Sequence, residues 1–324
     1  MTTTQSGAQD QAPARSRLAE ITPLFPSDDE RVRPVGGGTP ARRAGPPTRI
    51  CFLTTLPRSG SWLLSDVLWG SGLVGQPHEY FRPDFTDLWS AEWGVPQGAA
   101  YRDYVDAALS CTQSANGVFC AKLHWYQFAW LRQQLASDTG TDPDTAFAEC
   151  FPGASFVFLH RRDTARQAIS YHRASQTQAW FDLGDSAPSQ EGLDVDLQQV
   201  RWFEDVLVDH RDRWRGHFET HGIEPLEVLY EDLAADNAGT VDGVLAYLGI
   251  EEPAPPLPAP RLRPQSDHTT ERVLAAYRAA RPTLLPAPDD LVWQREGRRF
   301  VSPGLAFEAG SRTIRIRAEE VAPS

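Results

Sequence analysis

The sequence predicts an α/β fold with a central parallel sheet, and three observations support this prediction. Short apolar runs recur along the chain, and most are followed by a segment with helical spacing. The first run, RICFLTTL at residues 49–56, is almost continuously apolar, as is typical of a strand buried on both faces. Strands that alternate with helices indicate βαβ units, whose strands are parallel.

Four strands and five helices are predicted from the apolar pattern. The strands cover residues 49–56, 117–125, 155–162 and 226–233. The helices cover residues 61–69, 164–180, 194–221, 240–250 and 269–280. A late stretch, RTIRIRAEE, alternates like a strand but has no predicted place in the sheet.

Composition divides the chain into a tail and one domain. Residues 1–46 are polar and rich in Pro and Gly, which predicts a disordered N-terminal tail, and residues 47–324 form a single predicted domain. The net charge of −12 argues against nucleic acid or an anionic membrane as the main partner. No apolar run approaches the ~20 residues that span a bilayer. With no signal-like segment and four unpaired cysteines, a cytoplasmic location is expected.

The turn after the first strand has the composition of an anion site. In LPRSGS, Gly60 permits a close backbone approach, Ser59 and Ser61 supply hydroxyl donors, and Arg58 supplies a forked cation. The turn precedes a helix, whose first N–H groups point at whatever lies there. The alternative is an ordinary strand-to-helix turn with a serine cap.

An ATP-type phosphate loop is disfavoured. The motif GxxxxGK[ST] requires a glycine where this chain has Thr55 and a lysine where it has Ser61. No apolar run ends in an aspartate suited to holding Mg²⁺.

A second anion motif follows the third predicted strand. Arg161 and Arg162 lie at the strand end, and Ser170 lies two turns into the next helix. A phosphate between strand end and helix would contact both. A solvated arginine pair is the alternative.

Taken together, these stretches resemble the sulfotransferases that use 3′-phosphoadenosine 5′-phosphosulfate (PAPS), and most closely the bacterial trehalose sulfotransferase family. Five pieces match in family order from about residue 50 to 280: PRSGSWLL, GLVGQPHEYF, GVFCAKLHW, HRRDTARQAISYHRASQTQAW and RPQSDHTTERVLAAYR. The resemblance implies a P-loop-like, three-layer α/β sandwich with a central parallel sheet. It also implies transfer of a sulfuryl group from PAPS to a hydroxyl, releasing adenosine 3′,5′-bisphosphate (PAP).

The resemblance assigns the nucleotide-contacting residues one by one. The residues that match the 5′-phosphate loop are Arg58, Ser59, Gly60 and Ser61. Ser170 matches the 3′-phosphate serine, and either Arg161 or Arg162 is its arginine partner. Trp62 lies one residue before the position of the adenine-stacking tryptophan of animal enzymes, which is Leu63 here. Arg263 is a candidate in the late nucleotide loop.

Two residues compete for the role of general base. Glu79 matches the carboxylate proposed as base in the trehalose family, and a carboxylate near the acceptor hydroxyl can take its proton. His124 lies in the sequence KLH, which is similar to the segment that carries the catalytic histidine of animal and plant enzymes.

Lys122 is the single lysine among 31 basic residues, and the resemblance places it near the transferred group, where it would stabilise the leaving phosphate. A lysine that reaches water from a strand edge is the alternative.

The acceptor is expected to be a small molecule with a hydroxyl group, such as a sugar, a glycolipid or a secondary metabolite. His217 and His221 lie one helical turn apart, but no third ligand is evident in the sequence, so no metal is expected. Members of the trehalose family form dimers, which makes a homodimer one assembly to test. The rival functions are a nucleotide kinase or other phosphoryl transferase and a non-catalytic PAP-binding protein.

Overall fold

The structure is a computed structural model that describes residues 45–177, 195–257, 259, 268–287, 294–296, 299–302 and 305–308. The strands in these ranges are β1 (Arg49–Thr55), β2 (Val118–His124), β3 (Ser155–His160), β4 (Leu226–Leu229), β5 (Gln294–Glu296), β6 (Arg299–Ser302) and β7 (Leu305–Glu308). The first α-helices are α1 (Ser61–Gly70), α2 (Thr86–Trp93), α3 (Tyr101–Thr112), α4 (Trp125–Thr139) and α5 (Pro143–Cys150). The later ones are α6 (Thr164–Thr177), α7 (Leu197–His221), α8 (Tyr230–Ala235), α9 (Asn237–Tyr247) and α10 (His268–Ala280).

The main sheet of the described chain has four parallel strands in the order β2-β1-β3-β4. Thr55, the last residue of β1, pairs with His124 on one side and Leu159 on the other. The carboxyl ends of three neighbouring strands therefore meet at one edge of the sheet. Ligands of open α/β sheets bind outside that edge.

Two apolar cores cover the two faces of this sheet, because successive residues of β1 point to opposite sides. Ile50 and Phe52 belong to a core formed with α3, α4, α5, α6 and α7. Cys51 and Leu53 belong to a second core formed with α1 and α9. Helices on both faces of a parallel sheet make the predicted three-layer sandwich, and the predicted fold class is confirmed.

The predicted elements agree with the structure except at the fourth strand. That strand was predicted to continue to residue 233, but β4 ends at Leu229 and α8 begins at Tyr230. Glu231 and Asp232 lie in the first turn of α8, where carboxylates stabilise the helix N-terminus. The prediction was wrong because the end of this stretch does not alternate: Leu229 and Leu233 have the i, i+4 spacing of a helix.

Several elements were not predicted. Helices α2 to α5 lie between the first motif and β3, and β5, β6 and β7 form a separate antiparallel sheet. Most of the predicted tail, residues 1–46, and the stretch RTIRIRAEE lie outside the described residues, so both stay predictions. Within the described residues, no helix is long and apolar enough to cross a bilayer.

The segment after α1 runs alongside β2 and carries Glu79 into the sheet edge. His78 forms a parallel bridge with Ala121, and its carbonyl accepts the N–H of Lys122 at 2.9 Å. The approach requires glycine at position 75, because a methyl group there would overlap the Thr112 carbonyl and lie 2.9 Å from the Val118 carbonyl. Glycine at this position therefore lets the segment lie against the sheet.

Gly75→Ala is expected to lower the free energy of unfolding by about 1–3 kcal/mol, the usual cost of overpacking. The matched control is Gly216→Ala in α7, where nothing lies within 4 Å of the added methyl group. That substitution is expected to raise the free energy of unfolding by about 0.5–1 kcal/mol, because alanine favours the helix interior. Urea unfolding measures both values. Equal effects of the two substitutions would contradict the packing argument at residue 75.

Candidate active site

The turn between β1 and α1 is built as an anion-binding loop. Arg58 and Gly60 both have left-handed backbone conformations, with φ of 63° and 90°. The turn is held by a hydroxyl–hydroxyl hydrogen bond between Thr55 and Ser59 and by the Gln167 side chain, which donates to the Pro57 carbonyl at 2.7 Å. The strained turn presents the first N–H groups of α1 at the sheet edge, which suits an anion.

Gly60 also makes room for an aromatic ring. A methyl group on Gly60 would overlap the side chain of Tyr230, the first residue of α8. The guanidinium carbon of Arg161 lies 3.8 Å from the centroid of the same ring, as in a cation–π contact. Tyr230 thus packs the anion loop against the residue that follows β3.

Arg58, Arg161 and Ser170 lie together at this edge. The Nε of Arg58 donates to the hydroxyl of Ser170 at 3.0 Å. Burial, and then the positive charge of Arg161, lower the pKa of Arg58 from 12.5 to about 10. Two neighbouring, half-buried guanidinium groups make this part of the sheet edge locally cationic, which suits an anion.

Arg162 is directed elsewhere. Its guanidinium donates to both carboxylate oxygens of Asp232, at 2.8 and 3.0 Å, and 56% of its side chain is exposed. Arg161, in contrast, has a buried Nε with no hydrogen-bond partner among the described residues. Of the two arginines that the sequence left open, Arg161 is the one beside Arg58.

Glu79, Lys122 and Gln127 form a buried cluster next to the anion loop. The Lys122 ammonium lies 2.9 Å from Oε1 of Glu79, and the Gln127 amide donates to Oε2 at 2.7 Å. Lys122 is fully buried, so it does not reach water from the strand edge. Its Nζ lies 3.2 Å from the centroid of a Trp62 ring, which adds a cation–π contact from the first turn of α1.

His124 joins the same cluster from the end of β2. Its Nε2 lies 3.7 Å from Oε1 of Glu79, and its Nδ1 lies 3.4 Å from the Thr55 carbonyl. Both neighbours are hydrogen-bond acceptors, so this position suits a ring nitrogen that donates better than one that takes a proton.

The cluster keeps opposite charges at neutral pH. Burial raises the pKa of Glu79, but Lys122, His124 and Arg82 together hold it well below its usual range. Burial lowers the pKa of Lys122 from 10.5 to about 8, and Glu79 opposes that shift. Glu79 is therefore a carboxylate and Lys122 is mostly an ammonium at pH 7.

The structure brings most of the predicted site residues to one edge of the sheet. Trp62 connects the loop to Lys122, and Thr55 connects it to His124. Ser59 and Ser61 are buried within the turn. Arg263 lies outside the described residues. Trp125 packs edge-on against Trp214 with the ring centroids 5.1 Å apart, which makes it a core residue.

Sequence reasoning missed two residues of the site. Gln127 was not singled out, although it lies three residues after the residue that caps α4, where glutamine commonly completes a capping box. Its Oε1 accepts the N–H of His124 at 2.9 Å while its amide holds Glu79. Tyr230 was also missed, because its position was predicted to lie within a strand, and no local pattern indicated a ring beside the loop.

Comparison with known proteins finds relatives over most of the chain. The family model for the Stf0 sulphotransferases matches residues 51–280. A trehalose 2-sulfotransferase of Mycobacterium tuberculosis is 30% identical over 257 residues, which span 70% of this chain and 93% of the relative. A trehalose 2-sulfotransferase of Mycolicibacterium smegmatis is 26% identical over 260 residues, which span 72% of this chain and 95% of the relative.

Among solved structures, a sulfotransferase domain from the Synechococcus PCC 7002 olefin synthase is similar at a TM-score of 0.33 and 14% identity, over 74% of this chain and 98% of that domain. The family match covers β1 to α10, and with them both anion motifs and the Glu79–Lys122 cluster. The chain therefore belongs to the Stf0 sulphotransferase family.

Proposed function

We propose that this sulfotransferase transfers the sulfuryl group of PAPS to a hydroxyl of a small-molecule acceptor and releases PAP. The observation that carries the proposal is the juxtaposition of two sites at one sheet edge. Arg58 and Arg161 form a half-buried cationic pair, and the Glu79–Lys122 ion pair lies across the first turn of α1 from it. The first site suits the phosphates of a nucleotide, and the second suits proton removal beside a developing negative charge.

In this proposal the nucleotide is held at both of its phosphate ends. The turn residues that receive the 5′-phosphosulfate are Arg58, Ser59, Gly60 and Ser61. Ser170 and Arg161 hold the 3′-phosphate, and Arg162 has no part in it because Asp232 already occupies its guanidinium. Bidentate guanidinium contacts and helix N–H groups are the protein groups best suited to phosphate oxygens.

The transfer is an in-line displacement at sulfur. The acceptor oxygen forms a bond to sulfur while the bond between sulfur and the bridging oxygen of PAPS breaks, and the electron pair stays on the PAP phosphate. Glu79 takes the proton of the acceptor hydroxyl. Lys122 donates to the bridging oxygen, where negative charge develops. The products are a sulfate ester and PAP.

Glu79 suits the base role better than His124 does. It is ionised at neutral pH, and its oxygens keep lone pairs beyond those used by Lys122 and Gln127. His124 and Gln127 then act as positioning residues that hold the carboxylate in place. The donors that hold the Glu79 carboxylate also keep its basicity low. A weak base suits a step in which the bond between sulfur and the bridging oxygen is already well broken when the acceptor hydroxyl loses its proton.

The acceptor class is proposed as a sugar, a glycolipid or a secondary metabolite with a free hydroxyl. The two curated relatives are named for action on trehalose, so trehalose is the first acceptor to test. Phosphoryl transfer from ATP is a weaker proposal, since the loop lacks the lysine of a Walker motif. A non-catalytic PAP-binding protein would not need the buried Glu79–Lys122 pair.

PAP is expected to raise the melting temperature more than AMP, which lacks the 3′-phosphate, because ligand binding to the folded state stabilises it. Arg161→Gln is expected to remove most of the difference between the two nucleotides. Arg162→Gln is the matched control and should preserve it. Thermal unfolding with each nucleotide measures the effect. Equal shifts with PAP and AMP in the unsubstituted protein would contradict the 3′-phosphate site.

Glu79→Gln is expected to lower kcat by ~10²–10⁴, the range for a lost general base. PAP affinity should change little, and His124→Ala should lower kcat less. Because the substitution leaves Lys122 without its ion-pair partner, the melting temperature of each variant is measured beside the rate of transfer from PAPS. The reverse ranking in folded variants would assign the base to His124.

Lys122→Arg is expected to lower kcat at least ~10-fold, or about 1.4 kcal/mol of transition-state stabilisation, although it keeps the charge. Since the pKa of Lys122 is about 8, kcat/KM for PAPS in the unsubstituted protein should fall as the pH rises through that value and the ammonium loses its proton. The arginine variant should lack this alkaline limb, because guanidinium does not titrate there. Transfer near the original rate, with the same alkaline limb, would remove Lys122 from the chemistry.

A further inference from the structure

A second cluster of metal-ligating side chains lies outside the proposed active site. His217 and His221 occupy the last two turns of α7, and Asp144 lies in the first turn of α5. One ligand atom of each residue lies within 4.8 Å of the others. The sequence offered only the histidine pair, and the fold supplies the third group from a different helix.

The ring of His221 is oriented as metal-binding imidazoles usually are. Its Nδ1 lies 2.9 Å from the carbonyl of His217, the residue one turn earlier, and donates its hydrogen there. Nε2, the other ring nitrogen, lies 3.5 Å from Oδ2 of Asp144. A carbonyl partner on the far nitrogen fixes the tautomer and the direction of a ligating histidine.

His217 is fixed by its packing against the core. The ring packs edge-on against Phe128, with centroids 4.7 Å apart, so one face is fixed by the core. The centroids of the two histidine rings lie 4.3 Å apart, which brings the second imidazole beside the first.

The two carboxylate oxygens of Asp144 have different partners. Arg132 on α4 pairs with Oδ1, and Oδ2 faces His221. The arginine therefore orients the carboxylate and leaves one oxygen directed toward the histidine pair. Because His221 and Asp144 are one-third and two-fifths exposed, a cation can reach this oxygen from solvent.

We propose that Asp144, His217 and His221 bind one divalent transition metal of the zinc class, with water as the fourth ligand. Two imidazoles and one carboxylate suit Zn²⁺, whereas Mg²⁺ and Ca²⁺ prefer oxygen ligands alone. A tetrahedral ion with bonds of ~2.0–2.2 Å brings its ligand atoms to within about 3.5 Å of one another. Metal binding therefore requires the two partly exposed side chains, His221 and Asp144, to rotate until the present spacing closes to that distance.

The metal would connect the end of α7 to the start of α5. It binds only where the fold brings the two helices together, so occupancy stabilises the folded state. The inference does not depend on the proposed PAPS chemistry, because no residue of the Glu79–Lys122 cluster takes part.

The test uses the purified full-length chain with Co²⁺ and Zn²⁺ as probes. Co²⁺ is expected to bind one ion per chain and to give the intense visible absorption of a four-coordinate site, which Zn²⁺ removes by displacement. Zn²⁺ is expected to raise the melting temperature by several degrees. His221→Asn and Asp144→Asn each change a partly exposed side chain and should weaken Zn²⁺ binding at least 10-fold.

Glu219→Gln, an exposed carboxylate on α7 between the two histidines, is the matched control and should bind Zn²⁺ as the unsubstituted protein does. Equal Zn²⁺ affinity in the His221→Asn variant would overturn the site, as would the absence of one-to-one binding in the unsubstituted protein. Six-coordinate Co²⁺ absorption would overturn the proposed ligand set.

Discussion

A buried lysine must be paired, and the active-site edge of this protein is arranged around that constraint. An unpaired ammonium in the interior costs so much free energy that it would lose its proton. Glu79 provides the counter-charge at 2.9 Å, and Trp62 provides the negative face of its ring at 3.2 Å. The chain reaches this geometry because the segment from Gly75 to Glu79 runs beside β2, which requires glycine at its first position.

The constraint also explains the neighbours of the pair. A carboxylate that takes part in a single ion pair would keep unsatisfied oxygen lone pairs in the interior, and Gln127 removes part of that cost by donating to the second oxygen. On the other side of α1, two side chains of the same charge lie together. Arg58 and Arg161 bring two positive charges together in a protein whose net charge is −12, at the edge where the nucleotide is proposed to bind.

The sequence was most informative for the elements whose structure follows from the local pattern of apolar and turn residues. The four strands of the main sheet and the loop after β1 were predicted because apolar runs and turn residues are local signals, although the fourth strand ends earlier than predicted. The choice between Arg161 and Arg162 was not open to such reasoning, since it depends on where β3 ends and on Asp232 of another element. Gln127 contacts Glu79 and Asp144 faces His221, both far away in the chain, so local sequence could not reveal these contacts.

The space around Nζ gives a physical reason for lysine at position 122 in a chain that otherwise uses arginine. The ammonium lies between the carboxylate of Glu79 and the ring of Trp62, both within 3.2 Å, and it is fully buried. A guanidinium group is a wide planar fork and could not keep both contacts without moving the ring or the carboxylate. A displaced Trp62 would in turn disturb the first turn of α1, whose N–H groups are proposed to hold the 5′-phosphosulfate. The small cation thus lets one side chain serve the carboxylate, the aromatic ring and the developing charge together.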